Sequence, residues 1–222
     1  MRSLLLLLLL AGAEARAQTP GELGLWAQYS GTFRTADLPV GLVAEAQLRH
    51  HRFASDLDQV VGRVGVQVHL PGHVTLTQGY GHVYGEPAGE TAGSTVEHRL
   101  FQDVGGSRSV GAVKLSPRVR LEERWVEDQP FQTRLRLSLG ATVPLTGDAV
   151  RRGSVYTAGS AELFLRGPGR GDHPVYDRTR LYGGIGVRAS GELGVQAGLL
   201  AQVYDGETDL QVQLSLHHAV TF

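Results

Sequence analysis

Thirteen consecutive residues in the middle of this chain sort their side chains by parity. Val113, Leu115, Val119, Leu121 and Trp125 fall on one face of an extended strand, while Lys114, Ser116, Arg118, Arg120, Glu122 and Arg124 fall on the other. A repeat of two places alternate side chains on opposite faces of a sheet, so the segment is a strand with one apolar and one charged wall. So many charges on one face exclude a dry core and require water or mutual pairing. The division recurs at 131–139, where Phe131, Thr133, Leu135, Leu137 and Leu139 oppose Arg134 and Arg136. At 59–70, Val60, Val64, Val66, Val68 and Leu70 oppose Arg63, Gln67 and His69. At 210–222, Leu210, Val212, Leu214, Leu216, Val220 and Phe222 oppose Gln211, Gln213, Ser215, His217 and Thr221, with His218 interrupting the apolar side.

Period-2 segments lie near 23–34, 41–52, 59–70, 73–84, 96–104, 109–126, 131–143, 154–166, 178–189, 193–204 and 209–222. Most reach ten residues or more, the length of a tilted membrane strand rather than the ~5–6 residues of globular sheets. Short breakers (Pro71-Gly72, Gly105-Gly106-Ser107, Ser190-Gly191-Glu192) alternate with longer polar loops at 85–94 and 167–177. Short turns at one end and longer loops at the other is the plan of an outer-membrane barrel, whereas a two-sheet sandwich has shorter strands and more turns. No amphipathic helix competes, and no shift of composition marks a second domain. The expected architecture is all-β: an antiparallel up-and-down transmembrane barrel of 10–12 strands. Eleven segments sit awkwardly with the even counts of bacterial single-chain barrels, whose termini share the periplasmic side.

The two ends of the chain agree with export. Arg2, the leucine run Leu4–Leu10 and the site Ala15-Arg16-Ala17 form a signal-peptide pattern over residues 1–17, leaving 18–222 as the barrel domain. The apolar run falls well short of the ~20 residues of a membrane helix. Closing strands of outer-membrane barrels end on an aromatic residue, so Phe222 is the expected assembly signal, read by the barrel assembly machinery during insertion. Removing 1–17 takes away Arg2, Arg16 and Glu14; the 21 basic and 22 acidic side chains become 19 and 21, net charge −2. That balance gives no electrostatic case for nucleic acid. Without cysteine there is neither a disulfide frame nor a thiolate metal site.

A further set of short motifs runs the length of the mature chain: Leu25-Trp26, Ser55-Asp56-Leu57-Asp58-Gln59, Glu97-His98-Arg99, Arg120-Leu121-Glu122-Glu123-Arg124-Trp125, Arg134-Leu135-Arg136, Glu162-Leu163-Phe164 and Asp177-Arg178-Thr179-Arg180-Leu181-Tyr182. In these, and most specifically in the Arg-Leu-Glu-x-Arg-Trp run, the sequence resembles DUF2490, a family of bacterial outer-membrane β-barrels of unassigned function. The His217-His218 pair departs from the aromatic residues more usual in such closing strands. The resemblance implies an architecture and a place in the Gram-negative outer membrane; it carries no catalytic residues.

With polar faces inward, the lumen-lining basic residues are Arg63, Arg99, Lys114, Arg118, Arg120, Arg124, Arg134, Arg136 and Arg180, joined by Arg49, Arg166 and Arg188. The acidic ones are Glu45, Glu97, Glu122 and Glu162, with Asp103. An excess of basic side chains in a water-filled pore selects anions; paired with the carboxylates, the same arginines fill and seal a narrow barrel. Trp125 is expected in an interfacial aromatic girdle, with Glu123 at or beyond the edge of the hydrocarbon. The loops hold Asp56, Asp58, Glu86, Glu90, Glu127, Asp128, Asp172, Asp177, Asp205, Glu207 and Asp209, an acidic rim suited to divalent cations bridging to lipopolysaccharide.

Enzyme motifs fail. Ser215 and His217 share a face, but no third group completes a triad and the face points inward. His50-His51 and His217-His218 are sequence neighbours on strands and cannot share a metal. Arg170-Gly171-Asp172 is a three-residue match, and Arg166-Gly167-Pro168-Gly169 lacks the ending of a phosphate loop. Two readings follow: a porin-like channel for small anions, or a closed structural or partner-binding barrel, with a lipid-modifying enzyme a distant third. No enzyme activity, metal or cofactor is expected; the expected partners are outer-membrane lipid and lipopolysaccharide.

Overall fold

Residues 23–89, 93–147, 149–167, 175–204 and 207–222 are described by the computed structural model. The signal segment 1–17, Glu90, Asp172, Asp205 and the Arg170-Gly171-Asp172 tripeptide lie outside them. The strands are β1 (Gly24–Arg34), β2 (Val40–Arg52), β3 (Ser55–Leu70), β4 (Val74–Gly85), β5 (Thr95–Gly106), the short β6 (Arg108–Val110), β7 (Val113–Val126), β8 (Gln132–Pro144), β9 (Val155–Arg166), β10 (Tyr176–Arg188), β11 (Leu193–Tyr204) and β12 (Glu207–Thr221). Neighbours in sequence pair antiparallel from β1 to β5 and from β7 to β12. β5 pairs with β7, and β1 pairs with β12, so the long strands close on themselves into a barrel. Among the described residues no helix is long and apolar enough to cross a membrane.

Each of the eleven predicted segments holds one long strand, and among the described residues eleven long strands close the barrel. An odd number leaves the first and last strands running the same way, so β1 and β12 meet as a parallel pair, from Gly24 opposite Gln211 to Arg34 opposite Thr221. The start of β1 and the end of β12 therefore lie at opposite ends of the barrel, which replaces the even count and shared side expected from the antiparallel rule. β6 is no additional spanning strand. Its register on β7 continues that of β5: Gly105 opposes Arg118 and Arg108 opposes Leu115. The ladder is interrupted beside Pro117, which has no N–H to donate. Ser107 instead donates its N–H to the His73 carbonyl, 3.2 Å away. The reversal falls at Gly111, with φ of 59°. The expected segment 109–126 is thus a hairpin, and Gly105-Gly106-Ser107 is a bend within a strand.

The rungs climb steeply around the wall. The row leaving β7 at Lys114 passes through Thr142, Ala158, Gly184, Gly198, Gln213, Trp26, Arg49, Gln59 and Gly85. It reaches β5 at Thr95, beyond the last β5–β7 pair at Val126. Such an offset is the shear of tilted strands. The parity read from sequence becomes inside and outside. Val64, Val66, Val119, Leu121, Leu137, Leu139, Ile185, Leu199 and Leu214 are exposed, while Arg63, Arg99, Arg120, Glu122, Arg134 and Arg136 are buried. Aromatic residues collect near both ends of the outer wall. Trp125 stacks on Phe131 at one end, ring centroids 5.2 Å apart, and Phe33 and Tyr29 meet His218 edge-on at the other.

Candidate functional site

Two-residue spacing on β7 aims Arg118, Arg120, Glu122 and Arg124 inward in a column, and the cross-strand register supplies their partners. Glu122, wholly buried, lies opposite Arg134. Arg134 donates Nε and Nη2 to one oxygen of Glu122 at 2.8 and 2.6 Å, and Arg136 donates Nη1 to the other at 2.7 Å. Arg136 also reaches Glu162 from Nη2 at 2.7 Å, and Arg118 joins Glu162 at 2.9 Å. Arg120 grips both oxygens of Asp103, at 2.6 and 2.7 Å. Glu97 receives Arg99 through both oxygens at the same distances and is also paired with Arg124. Arg63 holds Glu45 at 2.6 Å, and Arg180 stands 4.0 Å from Glu162. The forks of Arg120 on Asp103 and of Arg99 on Glu97, each engaging both carboxylate oxygens, are the strong, directional form of the ion pair.

Flat aromatic rings fill the space between the charges. Arg49 lies 3.7 Å from the centroid of Trp26, and Arg120 is 4.2 Å from that of Phe101. Arg136 and Arg180 approach Phe164 at 4.7 and 4.6 Å. Stacking on a ring face suits guanidinium better than ammonium. Trp26, Phe101 and Phe164 are buried site residues that reading only polar side chains as inward passes over. Their signal is parity: Phe101 alternates with Glu97, Arg99 and Asp103, and Phe164 with Glu162. Asp177, expected in the acidic rim, is instead buried in the lumen. A register shift between Tyr176 and Arg178 turns it inward, where Arg134, Arg166 and Arg178 surround it at 3.4, 3.0 and 3.5 Å.

Among the described residues the lattice thus binds six carboxylates (Glu45, Glu97, Asp103, Glu122, Glu162 and Asp177) to ten arginines. An eleventh, Arg49, is held by Gln47 and Gln59 with no carboxylate in ion-pair reach among the described residues. Positive charge is in clear excess. A cavity of about 440 Å³ borders the lattice, with Glu45, Glu162 and several of its arginines in the lining. Arg118, Arg120, Arg136 and Arg180 meet it from the lattice side, and Ser30, Ser116, Thr142, Ser160, Gln196 and His217 line its walls. Lys114 lies exposed near that mouth, opposite Ser109 and Thr142, outside the lattice.

The remaining sequence candidates separate. His217 Nδ1 meets the hydroxyl of Ser30 at 2.7 Å, while Ser215 receives a hydrogen bond from Gln213. His217 Nε2 is buried with no partner among the described residues, so no acid completes a triad there. Asp56 accepts the N–H of Gly89, and no group of three metal-ligating side chains occurs among the described residues. Trp125 faces outward, 42 % exposed. Glu123 also lies on the outer face, one pair inward of Trp125. Phe222 is exposed; its N–H donates to the Arg34 carbonyl, and its own carbonyl accepts from Ala36, which ties the last residue to the end of β1.

Comparison with known proteins adds a family and no activity. The model of a family described as "Protein of unknown function (DUF2490)" matches residues 23–213. An uncharacterized protein of Methylorubrum extorquens is 31% identical over 201 residues, covering 89% of this chain and 85% of that protein. No solved structure matches.

Proposed function

We propose a role that starts from the family, since the chain belongs to DUF2490: an outer-membrane barrel that admits small anions to an arginine-rich lumen. The observation that carries the reading is the excess of guanidinium over carboxylate beside a polar cavity. A surplus cation in a low-dielectric lumen is costly without a counter-ion, and mobile anions supply one. The placement in the outer membrane is supported by the apolar outer wall, the aromatic residues near its ends and the signal-peptide pattern of residues 1–17. Phe222 would serve as the assembly signal, and lipid and lipopolysaccharide would surround the wall. No catalytic chemistry is assigned.

Cell fractionation with a heat-shifted gel band tests the location; recovery as a soluble periplasmic protein would end the membrane reading. Planar-bilayer recording tests the lumen. Anion-selective conductance is expected, with the preference shrinking as salt rises. Arg118→Glu should move the reversal potential toward cations while the barrel stays folded, because Glu162 keeps Arg136 and Arg180. Arg136→Glu is a poor probe, since Arg136 bridges Glu122 and Glu162. Conductance no higher than background would make the lattice a plug and the barrel a structural or partner-binding one.

A further inference from the structure

One sector of the outer wall breaks the apolar pattern. On β4, β5 and β7 the outward row His82–His98–Trp125 is followed by Tyr80–Leu100–Glu123 and then by Gln78–Gln102–Leu121. Gln78 and His82 are exposed between inward-facing, buried Thr77, Gly79, Gly81 and Val83. The two glutamines lie four residues, about 13 Å along the strands, inward of the row that contains Trp125. The Gln102 side-chain oxygen is buried with no hydrogen-bond partner among the described residues. An amide placed in hydrocarbon without a partner costs several kcal/mol, roughly 4–8 on a scale with no hydrogen bonding. Across the barrel, the outward positions Leu181, Ile185, Leu199 and Leu210 carry no such groups.

We infer that this β4–β5–β7 sector is the contact between two copies of the chain, related by a two-fold axis along the membrane normal beside β5. The inference rests on the membrane reading above. Such an axis keeps each residue at its own depth and sets β4 of one copy against β7 of the other. The rungs climb from β4 toward β7, so Glu123, one pair below the His82 row, comes level with His82. Each copy then offers the imidazole of His82 to the carboxylate of Glu123 on the other. At the axis, Gln102 faces Gln102; an amide both donates and accepts, so with the side chain turned outward from the place where its oxygen is now buried, like satisfies like. His98 already spends Nδ1 on the Tyr80 hydroxyl at 2.6 Å, which fixes the ring beside the contact. Gly62 lies opposite His82 on β3, with no atom within 4 Å of the place a Cβ would take, and leaves room for close approach. Acyl chains would satisfy none of these groups, and a lipid phosphate would meet the Glu123 carboxylate.

The absence of native cysteine makes the test direct. Full-length Gln102→Cys and Leu199→Cys proteins are oxidised mildly in native membranes and run with and without heating. Position 199 is exposed on β11, across the barrel. The expected result is a disulfide-linked dimer for Gln102→Cys, several-fold above Leu199→Cys, with both bands heat-shifted. Heat-shifted bands with no such difference overturn the dimer while leaving the membrane reading intact. Soluble recovery of both removes the membrane reading and the dimer with it. Added to Gln102→Cys, His82→Glu should lower cross-linking several-fold, and His82→Glu combined with Glu123→His should restore it. Failure of that rescue in a folded, heat-shifted protein would also overturn the proposal.

Discussion

The two halves of the lumen are built from the same eleven strands and hold opposite kinds of interior. Toward the turn at 127–131, the inward positions of β7, β8 and β9 are Arg124, Glu122, Arg134, Arg136, Glu162 and Phe164. Toward the other end they are Ser116, Gly140, Thr142, Ala158 and Ser160. In the first half Glu97, Asp103, Glu122, Glu162 and Asp177 each meet two or more arginines or a bidentate one, and rings fill the gaps; in the second, small side chains leave space. Barrel radius therefore does not decide whether a lumen is filled. Side-chain size and pairing along individual strands do, and one strand can seal one half and open the other.

The largest expected effect strikes the filled half. Glu122→Gln leaves Arg134 and Arg136 facing each other without their shared buried carboxylate, and breaking such a pair costs about 3–5 kcal/mol. The temperature of the gel-mobility shift should fall sharply, whereas Ser160→Ala should change stability by no more than about 0.5 kcal/mol. Equal effects at the two positions would erase the distinction between the halves. A middle-sized effect tests the proposed passage of anions through the half that holds the cavity. Ser160→Trp should fill much of the cavity, lowering single-channel conductance while the reversal potential keeps its sign. Unchanged conductance would show that ions do not use that space. The smallest effect is expected at the mouth: Lys114→Glu should weaken anion preference slightly at low salt and not at all near 1 M, where the screening length is about 3 Å. A salt-independent effect would place Lys114 deeper than its exposure indicates.

Much of the lattice is legible in the order of residues. Alternation separates Arg118, Arg120, Glu122 and Arg124 from Val119, Leu121 and Trp125 because side-chain direction in a strand depends on parity alone. The same rule puts Glu45, Glu97 and Glu162 on the arginine side. It passes over Trp26, Phe101 and Phe164 because an inward ring is identified by its neighbours and not by its own polarity. It does not reach Asp177, which falls in the loop at 167–177 by sequence, whereas β10 begins at Tyr176 and a register shift with no local mark turns the side chain inward. Pro117 does lie in view, yet its consequence depends on Gly106 standing opposite, a contact set by pairing between β5 and β7.

A single β domain, long strands and a barrel wall apolar outside and charged within all follow from the amino-acid sequence alone, since each depends on the period and length of local segments. The closure of eleven long strands without a twelfth, the parallel seam of β1 on β12, and the choice by Glu122 of Arg134 and Arg136 are settled by the folded barrel instead. The closure and its seam depend on how the two ends of the sheet meet, and the choice depends on the register between β7 and β8. Closure joins residues 187 positions apart, such as Ser30 and His217, whose fit has no signature in either strand alone.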